Sequence, residues 1–214
     1  MHFNGFKYYG KDIPYISFSP EKECKVWACY LLMENGIVAA VRISNHGGCM
    51  MKRVIVIGSP GAGKSTFARR LRDKTGLPLY YLDMIWHLPD RTTISKEEFD
   101  ETLVRILATE RWIIDGNYGR TMEMRLKYCD TVFLLDYPLH VCLEGASSRV
   151  GVKREEIPWV EEELDEAFRQ WIIDFPKTKL PRIYQLLDEY QEGKEIHIFH
   201  SRNDADQYLA RMNG

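Results

Sequence analysis

From residue 51 onward this 214-residue sequence predicts an α/β three-layer sandwich: a five-stranded parallel sheet with helices on both faces. Three observations carry the prediction. Short apolar runs alternate with longer amphipathic stretches. The first run, Arg53-Val54-Ile55-Val56-Ile57, feeds a glycine-rich turn that opens a helix. Three successive runs then end in aspartate, at Asp83, Asp115 and Asp136, as strands do whose carboxyl ends face a ligand.

Strand one is expected over 53 to 57 and its helix from Ser65 to Lys74, broken by Thr75-Gly76 and Pro78. Leu79-Tyr80-Tyr81-Leu82 is a short second strand ending at Asp83. Ser95-Lys96-Glu97-Glu98 is a capping box, in which Ser and Glu satisfy each other's orphan backbone donors, and Phe99, Leu103, Ile106 and Leu107 follow at core spacing. Trp112-Ile113-Ile114-Asp115 is the third strand. A helix around 121 to 128 leads to the fourth, Thr131 to Asp136, stopped by Pro138. Helices follow at 139 to 149, near 160 to 174 and at about 182 to 191, with Pro176 and Pro181 as breaks between the last two. Glu195 to Phe199 is the fifth strand, and Ser201 caps the last helix.

Residues 1 to 50 read differently, rich in Tyr, Phe and Gly and without helical period. Val26 to Met33 and Ile37 to Ile43 flank Glu34-Asn35-Gly36, a hairpin signal. Met50-Met51-Lys52 stands just before the first strand as a natural translation start. Two domains are expected: an extension, 1–50, that is a small add-on or an over-extended start, and the α/β domain, 51–214.

Hydrophobic residues at 45% and charged residues at 28% describe an ordinary soluble chain, and a formal net charge of -2 argues against direct nucleic-acid binding. No apolar run reaches the roughly 20 residues of a membrane helix. The five cysteines are odd in number and lack metal-ligand spacing, which points to a reduced, cytoplasmic setting.

The turn itself, Gly58-Ser59-Pro60-Gly61-Ala62-Gly63-Lys64-Ser65-Thr66, fits GxxxxGK[ST] between a strand and a helix. Such a loop, the hallmark of P-loop NTPases, turns backbone N–H groups inward on phosphates, and the helix N-terminus adds its positive dipole end. Lys64 is then expected on the β and γ phosphates of ATP or GTP, and Ser65 on Mg²⁺. Asp115 and Asp136 each close an apolar run and compete for the Mg²⁺ shell. Asp83 suits an acceptor hydroxyl as general base. Arg120 and Arg149 are candidates to clamp a transferring phosphoryl group, whereas Lys153 reads as solvated. Trp86-His87 offers an aromatic wall and a polar tip. Trp159, Trp171 and Phe175 are spaced for core packing, and Glu161-Glu162-Glu163 for a solvated helix start.

With these residues in view, 52 to 214 resembles the small kinases of the adenylate-kinase-like group. Ile114-Asp115-Gly116-Asn117-Tyr118-Gly119-Arg120 is similar to their Asp-Gly-Phe-Pro-Arg segment, although Asn117-Tyr118-Gly119 departs from it. The runs Tyr81-Leu82-Asp83, Trp112 to Tyr118, Phe133 to Pro138 and Ser201-Arg202 resemble the bacterial DNA topology modulation proteins. The resemblance implies a small helical lid near 149 to 160, ATP as the nucleotide, and Arg202 on the adenine side. It leaves two functions: a kinase moving the γ-phosphoryl group of Mg-ATP to a small nucleoside, nucleotide or other hydroxyl acceptor, or a nucleotide-binding regulator of DNA topology with little turnover.

Overall fold

The computed structural model describes residues 27–32, 38–43 and 51–212, the first two segments as backbone only. Its contacts divide the chain into two units, Met1–Met50 and Met51–Gly214. In the first, β1 (Trp27–Leu32) pairs antiparallel with β2 (Val38–Ile43), with Leu32 opposite Val38. The Glu34-Asn35-Gly36 turn lies outside the described residues.

The second unit is built on β3 (Arg53–Gly58), whose four apolar side chains serve two cores. Alternate side chains leave a strand on opposite faces, and both faces here are covered. Val54 and Val56 pack with Phe67 and Leu71 of α1 (Lys64–Thr75), whereas Ile55 and Ile57 pack with Phe99 and Leu103 of α3 (Lys96–Leu107). β4 (Leu79–Tyr81) and β5 (Trp112–Asp115) lie on one side of β3; β6 (Thr131–Leu135) and β7 (Glu195–Phe199) lie on the other. The order is β4-β5-β3-β6-β7, and every pairing is parallel. The expected α/β sandwich with its five-stranded parallel sheet is therefore the fold. The chain runs from β3 to β4 and β5 on one side and then crosses from β5 to β6 on the other, so a crevice opens at the carboxyl end of β3.

The expected capping box at the start of α3 is present, with the Ser95 hydroxyl accepting from Glu98 N–H at 3.1 Å and Glu98 accepting from Ser95 N–H at 3.0 Å. Elsewhere tertiary packing overrides local signals. β4 ends at Tyr81, and the buried Leu82 draws the chain straight into a short helix, α2 (Leu82–Trp86), so Asp83 stands in a first helical turn instead of at a strand end. After α4 (Met122–Tyr128) and α5 (Leu139–Ser147), α6 runs Glu166–Thr178 with Pro176 inside it. Proline there forfeits one hydrogen bond, but buried Ile172 and Phe175 hold the helix to the core. α7 (Leu180–Glu189) takes Pro181 in its first turn, where no N–H is needed, and α8 (Arg202–Arg211) is capped by Ser201. Residues 149 to 160, where a helical lid is expected, form turns and bends, and Glu161, Glu162 and Glu163 precede α6 instead of starting it. No helix among the described residues is long and apolar enough to cross a membrane.

The packing carries a titration signature. Burial is the leading cause that pushes the hydroxyls of Tyr81, Tyr137 and Tyr208 up to about 12, and those of Tyr118 and Tyr184 are also raised. The folded chain then keeps protons that the unfolded chain releases near pH 10, so stability falls as pH rises through 10 to 12. In an alkaline titration, the part of the tyrosinate absorbance that belongs to these five residues is expected to rise only with loss of circular dichroism. Ionisation of all 12 tyrosines with dichroism intact would contradict this packing.

Candidate active site

The loop from Gly58 to Gly63 owes its path to close backbone approaches. A Cβ on Gly58 would lie 2.2 Å from the Leu135 carbonyl oxygen, and one on Gly61 would lie 2.0 Å from that of Cys142. Both residues have positive φ, 138° and 80°, which side chains resist. Gly63 caps α1 with no side-chain hydrogen bond and open space around it, leaving the first amides of the helix for an anion. Lys64 folds back so that Nζ donates to the Ser59 carbonyl at 3.0 Å, and burial lowers its pKa.

Across the crevice, the segment after β5 is fixed by two side chains. Asn117 meets the Gly58 backbone twice, donating from Nδ2 to its carbonyl at 2.9 Å and accepting from its N–H at 3.0 Å. That pairing extends the β3–β5 contact one step past the strand end. Arg125, with no exposed surface, donates to the carbonyls of Gly116 at 2.8 Å, Asn117 and Tyr118 at 3.1 Å. Its burial brings its pKa down to about 10. Tyr118 is held at a φ of 31°, stacks on Phe99 at 5.1 Å, and donates its hydroxyl to Asp83 Oδ1 at 2.8 Å.

Asp115 closes β5 and is 5% exposed. Burial pushes its carboxyl up to about 6, against the pull of the Lys64 ammonium and the Ser65 hydroxyl, and its Oδ1 is buried with no hydrogen-bond partner among the described residues. Arg149 follows α5 with its guanidinium 6.0 Å from the Phe168 ring centre; burial first, and then Arg154, lowers its pKa. Arg154 joins Glu156 at 2.9 Å and Glu161 at 2.7 Å, and Glu156 also takes Arg69 of α1 at 2.8 Å. This chain of charges ties the irregular segment to the phosphate-loop helix.

Two cavities meet here. The smaller, about 380 Å³, runs along Gly61 to Thr66 toward Arg202. The larger, about 850 Å³, is lined by Asp83, Asp115, Trp86 and Trp159 among others. Gly61, Lys64, Ser65, Arg149 and Glu156 line both.

The structure thus gathers most of the residues singled out in the sequence. Ser59 and Ala62 are buried within the loop, Pro60 faces the larger cavity and Thr66 the smaller. Arg202 reaches the Val141 carbonyl at 3.4 Å. Arg120 lines the larger cavity but is exposed and bidentate to Asp100 at 2.6 and 2.7 Å. Asp136 stands apart, accepting the Tyr184 hydroxyl at 2.7 Å and lining neither cavity, whereas Asp115 lies with Lys64 and Ser65.

No family model matches the chain. Adenylate kinases of Thermotoga neapolitana and Thermotoga petrophila are each 33% identical to it over 94 residues, 42% of this chain and 41% of theirs. The chain thus matches about two fifths of the length of these relatives. Among solved structures, a shikimate kinase from Acinetobacter baumannii in complex with shikimate is similar at 18% identity and a TM-score of 0.49, covering 76% of this chain and 91% of that one. A likeness of that size bears on neither substrate nor activity.

Three participants carry no motif of their own: Asn117, Arg125 and Glu156. Gly116 hints at the first two, because a backbone with φ of 135° turns carbonyls inward that then need a donor. Trp159 and Trp171 depart from the expected core role. Trp159 is partly buried, Trp171 is 38% exposed, and both line the larger cavity; only Phe175 of the three is fully buried.

Replacing Arg125 by Met leaves three inward carbonyls without a donor, and is expected to cost about 3 kcal/mol or more in urea unfolding. Arg125→Lys, lacking the planar fork, recovers only part of this. A loss below about 1 kcal/mol in Arg125→Met would show that the carbonyls find other donors.

Proposed function

We propose that residues 51–214 form a phosphotransferase that moves the γ-phosphoryl group of ATP to the hydroxyl of a small acceptor. One observation carries this reading: two cavities of different character meet at Lys64, Ser65 and Arg149. The smaller suits the nucleotide, because it combines the loop amides, the uncapped start of α1 and Arg202. The larger suits the acceptor, because it holds Asp83. A group passing between them crosses the cationic residues they share.

The residues also fit Mg²⁺. The Ser65 hydroxyl lies against Asp115, whose buried Oδ1 lacks a partner, and hard oxygen donors of this kind hold Mg²⁺ directly or through water. A divalent ion held there would supply positive charge to offset that of the phosphates. Asp136, engaged by Tyr184, has no part in this reading.

Lys64 and the loop amides orient the triphosphate. Arg149 is the cation best suited to the charge that spreads over the phosphoryl oxygens, since it lines both cavities and belongs to no salt bridge among the described residues. Arg120, fully engaged by Asp100, contributes to the wall. Tyr118 holds Asp83 Oδ1 and leaves Oδ2 to accept the hydroxyl proton. Positioning supplies most of the rate in such a transfer. The match to adenylate kinases supports the reading, and the large second chamber favours it over a nucleotide-binding regulator of DNA topology, which needs no acceptor chamber.

Lys64→Ala is expected to fold and to lose about 100-fold or more in ATP turnover. Asp83→Asn is expected to keep ATP affinity while acceptor-dependent kcat falls about 100-fold. Both are read as ADP release with and without an acceptor panel. Undiminished turnover in Lys64→Ala would refute the assignment of the loop.

A further inference from the structure

An acceptor that already carries phosphate needs guanidinium or ammonium groups free to receive it. In the larger cavity those groups are engaged. Arg120 gives both terminal nitrogens to Asp100 at 2.6 and 2.7 Å. Arg154, with a side chain 9% exposed, lies between Glu156 and Glu161 at 2.9 and 2.7 Å. Arg182 reaches Glu123 at 2.9 Å and Glu189 at 3.5 Å. Lys64 and Arg149 also line the smaller cavity, where the donor phosphates use them. Among the described lining residues this leaves Lys179, which is exposed to solvent.

Five carboxylates, Asp83, Asp115, Glu123, Glu156 and Glu161, line the same cavity beside these cations. A phosphate monoester, carrying roughly -1.5 to -2 charges at pH 7, then finds the solvent-exposed Lys179 or has to displace a carboxylate from its arginine.

Six aromatic rings stand in the remaining wall, Trp86, Tyr118, Trp159, Phe168, Trp171 and Phe175, beside aliphatic residues such as Met122 and Ile183. The rings occur in contact groups, with Trp159 edge-on to His87 at 5.0 Å, and Trp171 at 5.6 Å from Phe168 and 5.8 Å from Phe175. Such surfaces hold a flat ring by stacking and edge contacts. An aliphatic polyol requires many free polar partners, and here most are spent in ion pairs. Asp83 Oδ2 answers to one hydroxyl.

Building on the phosphotransferase reading, we propose that the acceptor is an uncharged alcohol bearing a flat unsaturated ring and no phosphate of its own. The hydroxyl oxygen bonds to the γ-phosphorus, and the bond from that phosphorus to the β–γ bridging oxygen breaks, its electron pair leaving with ADP. The hydroxyl proton passes to Asp83.

Calorimetric titration of the full chain, with ADP and Mg²⁺ present to fill the smaller cavity, tests this with three matched pairs: uridine, thymidine and pyridoxine, each against its 5′-phosphate. At least one alcohol is expected to bind about tenfold or more tightly than its ester, and Trp159→Ala to weaken it about tenfold, with Trp159→Phe restoring most of the loss. Unchanged ADP affinity in both variants shows that they fold. Esters binding as well as their alcohols in every pair, or no alcohol binding at all, overturns the proposal. ADP binding lost in Lys64→Ala separates the two readings. If ADP binds in that Lys64-dependent way while no alcohol does, the acceptor assignment falls alone; if ADP does not bind the wild-type chain, the phosphotransferase reading falls and takes this one with it.

Discussion

The guanidinium of Arg125 is the constraint on which the larger-cavity side of this fold depends. Gly116, Asn117 and Tyr118 run past the end of β5 in a conformation that points three carbonyls into the protein, and one buried fork receives them. Everything beyond follows from where this fork puts the chain. Asn117 meets the first glycine of the phosphate loop, and Tyr118 reaches Asp83 while its ring lies on Phe99. A single cation thereby fixes the distance between the loop and the carboxylate opposite it. Neutral donors can satisfy one or two carbonyls, but the planar geometry of arginine serves several from one point.

Local patterns made the donor side legible. The phosphate loop is contiguous in sequence, and its glycines are required by backbone contacts with Leu135 and Cys142 that any relative with this loop path must make. The sheet was equally readable, because strands buried on both faces are unbroken apolar runs. The rest depended on contacts between distant segments. Asp115 and Asp136 end identical-looking strands that flank β3 on either side, and only the arrival of Tyr184 from α7 separates them. Trp159 and Trp171 have the composition of a core, since aromatic spacing cannot tell a packed interior from a cavity wall. Arg125 looks like any basic residue in a short amphipathic helix. Pro176 looked like a terminator, yet Ile172 and Phe175 keep α6 intact through it.

Charge is arranged differently on the two sides of the shared residues. Toward the phosphate loop, positive ends are left open: the first turn of α1, Lys64 and Arg149. Toward the larger chamber, Arg120, Arg154 and Arg182 each have a carboxylate partner. Segment 149–161 divides these regions and is itself stitched to α1 through Arg69, Glu156 and Arg154. Its fold therefore rests on ion pairs more than on apolar burial, and such pairs weaken with ionic strength where they are exposed.

Helix α5 meets the phosphate loop with no side chain between them. The Gly61 carbonyl oxygen stands 2.1 Å from where a Cβ of Gly145 would be, and the Cys142 carbonyl blocks the corresponding place on Gly61. Main chain rests directly on main chain, and Arg149 lies about one helical turn farther along. A shift of the loop has no soft layer to absorb it, so the loop and α5 are braced against each other, with Arg149 two residues past the helix end at Ser147, and both glycines are closed to any larger residue.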